Sequence, residues 1–216
     1  MNRWFNKMKK LGLFDDIFND ILYKYSSSNP IKELHIDSTD IINKNCTKDI
    51  VGYSRKFHKN GLKLTLVEDQ NKIPIMYSYD NPTIYDSIAG YELLVTFENE
   101  SNEIIKVGGD KGYILDENDD KTLFAINKLK MINPKKKYKK RKYKTKNYKS
   151  KIKRIRHSKY DKEIIKNRIH IEHTNSIIHR SYKKIDQLYD RNINTLNAYM
   201  KLTITIMIIK FNITNK

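Results

Sequence analysis

At 216 residues the chain has room for one domain with a real core, or for one domain plus a short appendage, and hardly for two full domains. Its single cysteine, Cys46, excludes an internal disulfide and a paired-cysteine zinc knuckle, and no apolar run near Met1 has the form of a signal peptide, so an intracellular, reducing location is expected. The formal net charge is +18, yet 14 of the 43 Lys and Arg fall within residues 135–156, where there is no acid, leaving 29 basic against 25 acidic residues elsewhere. A concentrated basic strip of this kind implies a polyanionic partner more than a uniformly solvated surface does. The chain holds only three alanines, Ala89, Ala125 and Ala198, beside abundant Lys, Asn, Ile and Tyr, a bias expected from AT-rich coding that itself raises the basicity.

In chain order, Trp4, Phe5, Leu11, Leu13, Phe14, Ile17, Phe18, Ile21 and Leu22 recur at roughly helical spacing, with Gly12 as a break, and a Ser-Ser-Ser-Asn-Pro run ending at Pro30 stops the pattern. One or two short helices are expected over 1–32, too small to form an independent DNA-targeting module. From Glu33 to Tyr79 the period changes to two. Leu34 and Ile36, then Leu62, Leu64, Leu66 and Val67, then residues 73–77 predict three strands, the last two joined by the polar turn 68–72 as an antiparallel hairpin.

Residues 86–97 predict a helix capped by Asp86, with Ile88, Ala89, Leu93 and Leu94 on one face. Residues 104–107 predict a fourth strand, 119–127 a second helix and 129–132 a fifth strand. The strip 134–157, with Tyr138, Tyr143 and Tyr148 among its lysines, lacks the aliphatic residues to fold alone and is expected to be a flexible basic arm. Residues 160–184 then predict one long helix, and 193–211 a second apolar segment whose β-branched content suits either a helix or a strand. The apolar stretch 202–209 is too short to cross a bilayer and is broken by Thr203 and Thr205.

Three antiparallel strands, a helix, a parallel strand, another helix and strand, then a late helix is the element order of an RNase H-like α/β fold, here a mixed five-stranded sheet flanked by helices over 33–213. In that order Asp37 ends the first strand, Asp110 follows the fourth, and Glu172 lies on the late helix. Read singly, Asp37 and Asp110 are equally at home as turn formers. Glu172 alone is an ordinary surface Glu distinguished by Arg168 one helical turn earlier. His170 and His173 are three residues apart, unlike the i, i+4 pair of a zinc-binding HExxH helix.

The segments Ile36-Asp37-Ser38-Thr39, Gly61 to Asp69 leading into Ile73-Pro74, Gly109-Asp110-Lys111-Gly112-Tyr113, and Arg168-Ile169-His170-Ile171-Glu172 stand in the order found in the DDE transposases of bacterial insertion sequences, which the chain resembles from about residue 33 onward. The Gly-Asp-Lys-Gly-Tyr segment is the most specific, because the family places its second catalytic Asp in a similar Asp-x-Gly-Tyr turn. The resemblance implies that Asp37, Asp110 and Glu172 are catalytic and hold two Mg²⁺ ions, for which Mn²⁺ can substitute. Two such ions bring about four positive charges against three from the acids and one from the scissile phosphate, so the occupied site is near neutral.

The implied activity is cleavage and strand transfer on double-stranded DNA at transposon ends and target, with a homodimer possible in a synaptic complex and no membrane partner. Many family members carry Tyr, Arg, Glu and Lys around the third acid; here Ile165 replaces the Tyr, and His179 stands at the Lys position with Arg180 adjacent as a substitute cation. Arg168, His179, Arg180 and the strip residues Lys135, Lys136, Lys139, Lys140, Arg141, Lys142, Tyr138 and Tyr143 are the expected DNA contacts, through phosphates and stacking. The chain also begins after the family's usual DNA-targeting region and is expected to be truncated there. Two alternatives stay open: an inactive remnant that binds nucleic acid without cutting it, and an RNase H-like nuclease.

Overall fold

A computed structural model describes residues 3–43, 46, 50–99, 103–134, 158–181 and 192–214. The basic strip 135–157, and with it every expected contact from Lys135 to Tyr143, lies outside the described residues.

Two helices open the chain, α1 (Arg3–Lys10) and α2 (Leu13–Ser28), separated at Gly12, whose φ of 72° is the left-handed turn that glycine adopts without penalty. The sheet follows as β1 (Glu33–Ile42), β2 (Gly52–Ser54), β3 (Lys59–Asp69) and β4 (Pro74–Asp80). Then come α3 (Asp86–Val95), β5 (Ile105–Gly108), a 3-10 turn (Lys111–Tyr113), α4 (Glu117–Asn127) and β6 (Leu129–Ile132). The chain closes with α5 (Lys159–Asn167), α6 (Ile169–Ser181) and α7 (Ile193–Thr214).

The sheet has six strands in the order β2-β3-β1-β5-β6, with β4 on the same edge of β3 as β2. β1 runs antiparallel to β3 from Leu34↔Asp69 to Ile42↔Gly61, and parallel to β5 only from Glu33↔Lys106 to His35↔Gly108. β5 and β6 are parallel, as the crossover through α4 requires. This is the expected RNase H-like mixed sheet with one strand more than the sequence suggested. The addition, β2, is three residues long and lacks any apolar alternation by which to find it.

Because successive side chains alternate faces, the central strands feed two cores. Ile41, Leu62, Leu64 and Leu66 pack against Phe18 and Tyr25 of α2, Ile171 and Ile178 of α6, and Leu196, Met200, Ile204 and Ile208 of α7. Leu34, Ile36 and Val67 pack on the other face against Leu94, Tyr113 and Leu123. The four-residue spacing of Leu196, Met200, Ile204 and Ile208 decides the ambiguous segment in favour of a helix, since only that geometry gathers them into one buried stripe.

Three expectations need correction. The cap of α3 is Tyr85, without a side-chain bond, while Asp86 is the first helical residue and its carboxylate receives Lys63 Nζ at 2.6 Å. Ile88 points outward, and Ala89, Leu93 and Leu94 make the buried face. The single helix expected over 160–184 is interrupted at Arg168, a turn residue with helical dihedrals that separates α5 from α6.

Candidate active site

Asp37 lies in the middle of β1, opposite Leu66, and not at its end. Its position matters because β5 ends two residues earlier, at His35↔Gly108, so that β1 runs on past the end of its parallel neighbour. Asp110 stands two residues past the end of β5, at the start of the 3-10 turn. The region beyond the carboxyl ends of parallel strands is where α/β sheets expose side chains to ligands.

The Asp110 turn is fixed by its own sequence. Gly112 N–H donates to Asp110 Oδ1 at 2.6 Å, and Asn133 Nδ2 donates to the Tyr113 carbonyl at 2.9 Å. The buried Tyr113 ring carries its hydroxyl to Ser38 Oγ, which is in turn 2.9 Å from Thr65 Oγ1. A side chain at Gly112 would begin 2.9 Å from Asp110 Oδ1 and 3.0 Å from Asp86 Oδ2, so the glycine leaves room for the carboxylate.

On the opposite side, α6 is stitched to the sheet by polar contacts. Asn175 Nδ2 donates to Asp37 Oδ2 at 3.0 Å, Thr174 Oγ1 donates to Glu68 Oε2 at 2.6 Å, and Thr39 Oγ1 lies 3.0 Å from His179 Nε2. Glu172, half exposed, pairs with Arg168 Nη2 at 2.9 Å, the same-face contact expected of residues four apart. Arg180 is exposed beside His179.

The electrostatics tie the three acids together. Burial raises the Asp37 carboxyl to about 6; Arg168 and a Ser38 backbone contact oppose the rise, and the charges of Asp110 and Glu172 add to it. Each of the other two acids is therefore near enough to be felt at Asp37. Among the described residues, however, no group of three His, Cys, Asp or Glu stands at metal-ligating spacing, His170 and His173 included. Asp37 and Glu172 share a cavity of about 520 Å³ with Ser38, Thr39, Asn175, Ser176, His179, Lys56 and Phe57, while Asp110 is not among its lining residues. Carboxylates are hard oxygen donors of the kind that suit Mg²⁺ or Mn²⁺.

Several contacting residues were not found by sequence reading. Glu68 and Asp69, read as part of a polar turn, are both fully buried. Asp69 accepts from Tyr25 Oη at 2.6 Å and from the Asn71 and Ile73 backbones at 2.9 and 3.1 Å, closing the β3–β4 turn. Glu68 is raised to about 8, first by burial and then by the charges of Asp69 and Asp37, against the Thr174 hydrogen bond and Lys72. Its cross-strand partner His35 is buried and lowered to about 4, chiefly by burial, with His170 and Arg168 adding to the effect. A protonated Glu68 and a neutral His35 therefore lie beneath the acids at neutral pH. The signal available was slight: Glu68 shares the β1-facing register of Leu66, which carries an apolar side chain.

The family model of the transposase DDE domain matches residues 29–207. The chain belongs to that family. No curated protein and no solved structure matches it. The transposase domain therefore includes the whole sheet, both sides of the candidate site and most of α7. Among its described residues no helix is long and apolar enough to cross a membrane.

Proposed function

We propose that this transposase domain cuts and joins DNA strands at transposon ends, using Asp37, Asp110 and Glu172 as the carboxylate set for divalent cations, Mg²⁺ with Mn²⁺ as a substitute. The observation that carries the reading is the match of residues 29–207 to the transposase DDE domain, supported by Asp37 and Glu172 lining one cavity and by Asp110 just past the end of β5. A bound cation pair would supply a water or 3′-hydroxyl of lowered pKa and would polarise the scissile phosphate.

The chain's own residues prepare for this. Asn175 donates to Asp37 Oδ2, and the Tyr113–Ser38 bond anchors the Asp110 turn to the residue following Asp37. Arg168 neutralises Glu172 and lies close enough to Asp37 to lower its pKa, so it offsets the acidic cluster when no cation is bound. His179 and Arg180, farther along α6, face the approach of a phosphate backbone. The basic strip 135–156 adds affinity that depends on salt and not on sequence. Double-stranded DNA inside the cell is the substrate on this reading, with two copies of the chain bringing two ends together.

Purified protein with Mg²⁺ or Mn²⁺ and DNA carrying the element's ends is expected to be nicked, and Asp110→Asn is expected to leave it intact. Equal behaviour of the two proteins overturns the enzymatic reading. A second reading, a remnant that binds DNA without cutting, is favoured by the lack of a ligating three-residue group among the described residues and by His179 at the position of a Lys. Steeply salt-dependent binding with no metal-dependent nicking would establish it.

A further inference from the structure

Part of the cavity wall comes from neither the acids nor α6 but from the turn between β2 and β3, Arg55-Lys56-Phe57-His58. Lys56 and Phe57 line the same 520 Å³ space as Asp37, Glu172 and His179. Phe57 is only half buried and joins neither apolar core of the domain, so its ring is not accounted for by packing. Lys56 Nζ stands 5.3 Å from that ring's centroid, and Arg55, Lys56 and Lys59 are exposed.

The turn is braced. The buried Ser54 hydroxyl donates to Asp40 and accepts the Phe57 N–H at 3.3 Å, Tyr53 Oη lies 3.3 Å from His58 Nδ1, and His58 holds a φ of 52°. A side chain at Gly61 would begin 2.2 Å from the Ile41 carbonyl oxygen, so the base of the hairpin lies hard against β1.

We propose that this turn takes hold of one unpaired DNA strand at the cavity, with Phe57 stacking on an exposed base and Lys56 contacting a neighbouring phosphate. The proposal rests on the reading that DNA is the substrate of this site. The cavity volume is on the scale of a single small ligand, room for a nucleotide or two. Acids at its floor repel phosphate, so the strand must be gripped from a cationic rim, and an aromatic face flanked by a cation is the sequence-tolerant way to hold a base.

The test uses the full chain with two labelled probes in Ca²⁺: a blunt duplex, and the same duplex with a frayed end carrying 2-aminopurine. Wild type is expected to prefer the frayed probe by roughly tenfold and to quench 2-aminopurine on binding. Phe57→Ala and Phe57→Leu, the latter keeping the bulk without the aromatic face, should lose both the preference and the quenching while binding the blunt probe as before. Lys56→Ala should weaken both probes and reduce the salt slope by about one. Preference and quenching retained in both Phe57 variants overturn the proposal while the DNA reading stands. If wild type binds neither probe, that reading fails and takes this one with it.

Discussion

The two sides of the candidate site are built by different means. The Asp110 side is local: within Gly109 to Tyr113 the turn supplies its own hydrogen bond, and one ring reaches across to β1. The α6 side is assembled from residues more than a hundred positions apart, with Asn175 on Asp37, Thr174 on Glu68 and His179 on Thr39. A self-contained turn tolerates change in its surroundings, whereas a stitched helix depends on every partner being in register. The first side should fail only when its own residues change, and the second should fail by degrees.

The largest expected effect is at the acids themselves. Asp110→Asn preserves the Gly112 contact in shape but removes a charge, and nicking should fall by roughly 10³-fold or more, with an unchanged circular dichroism spectrum. Smaller, and confined to the α6 side, is Asn175→Ala. Freeing Asp37 Oδ2 should weaken Mn²⁺ binding by about 10- to 100-fold, the usual cost of losing a group that orients a ligand. A Mn²⁺ titration that finds equal affinity for the two proteins would break the distinction between the sides.

Glu68 sharpens the comparison through pH. Its folded pKa of about 8 lies above the 4.5 of an ordinary Glu, so the folded state holds a proton that the unfolded chain releases between those values. The Glu68 contribution to stability is therefore full below about pH 4.5 and declines as pH rises toward 8, by up to about 5 kcal/mol in total. Asp37, raised to about 6, acts in the same direction at the lower end of the range. Because the lowered pKa of His35 acts in the opposite direction below about pH 6.5, melting temperatures of wild type should fall between pH 6.5 and 8.5, and Glu68→Gln should flatten that dependence. The smallest effect belongs to Tyr113→Phe, which loses one hydroxyl contact to Ser38 and should cost about 1 kcal/mol in denaturant unfolding.

The same contrast explains what could be read from the sequence. The hairpin, the parallel strands, the break at Gly12 and the Asp110 turn were legible because each is written in a few neighbouring residues. Asp37 was placed at a strand end, because Ser38, Thr39 and Asp40 look like a turn until their long pairing with β3 is known. Glu68 was taken for loop because its neighbours 69–72 are polar, and only the register with His35 turns it inward. Phe57 and Lys56 escaped because a three-residue strand leaves no periodic trace, so their turn had no address in the fold. The break at Arg168 removes no helix former and inserts no Gly or Pro, which left one helix as the simplest reading.

The account turns on three acids acting as one cation site, and Mn²⁺ binding measures that without requiring DNA or turnover. Titrating Mn²⁺ into wild type, Asp37→Asn, Asp110→Asn and Glu172→Gln, with free ion followed by electron paramagnetic resonance, should show one class of tight sites in wild type that each single substitution weakens strongly. Wild-type affinity in any one of the three variants would contradict it.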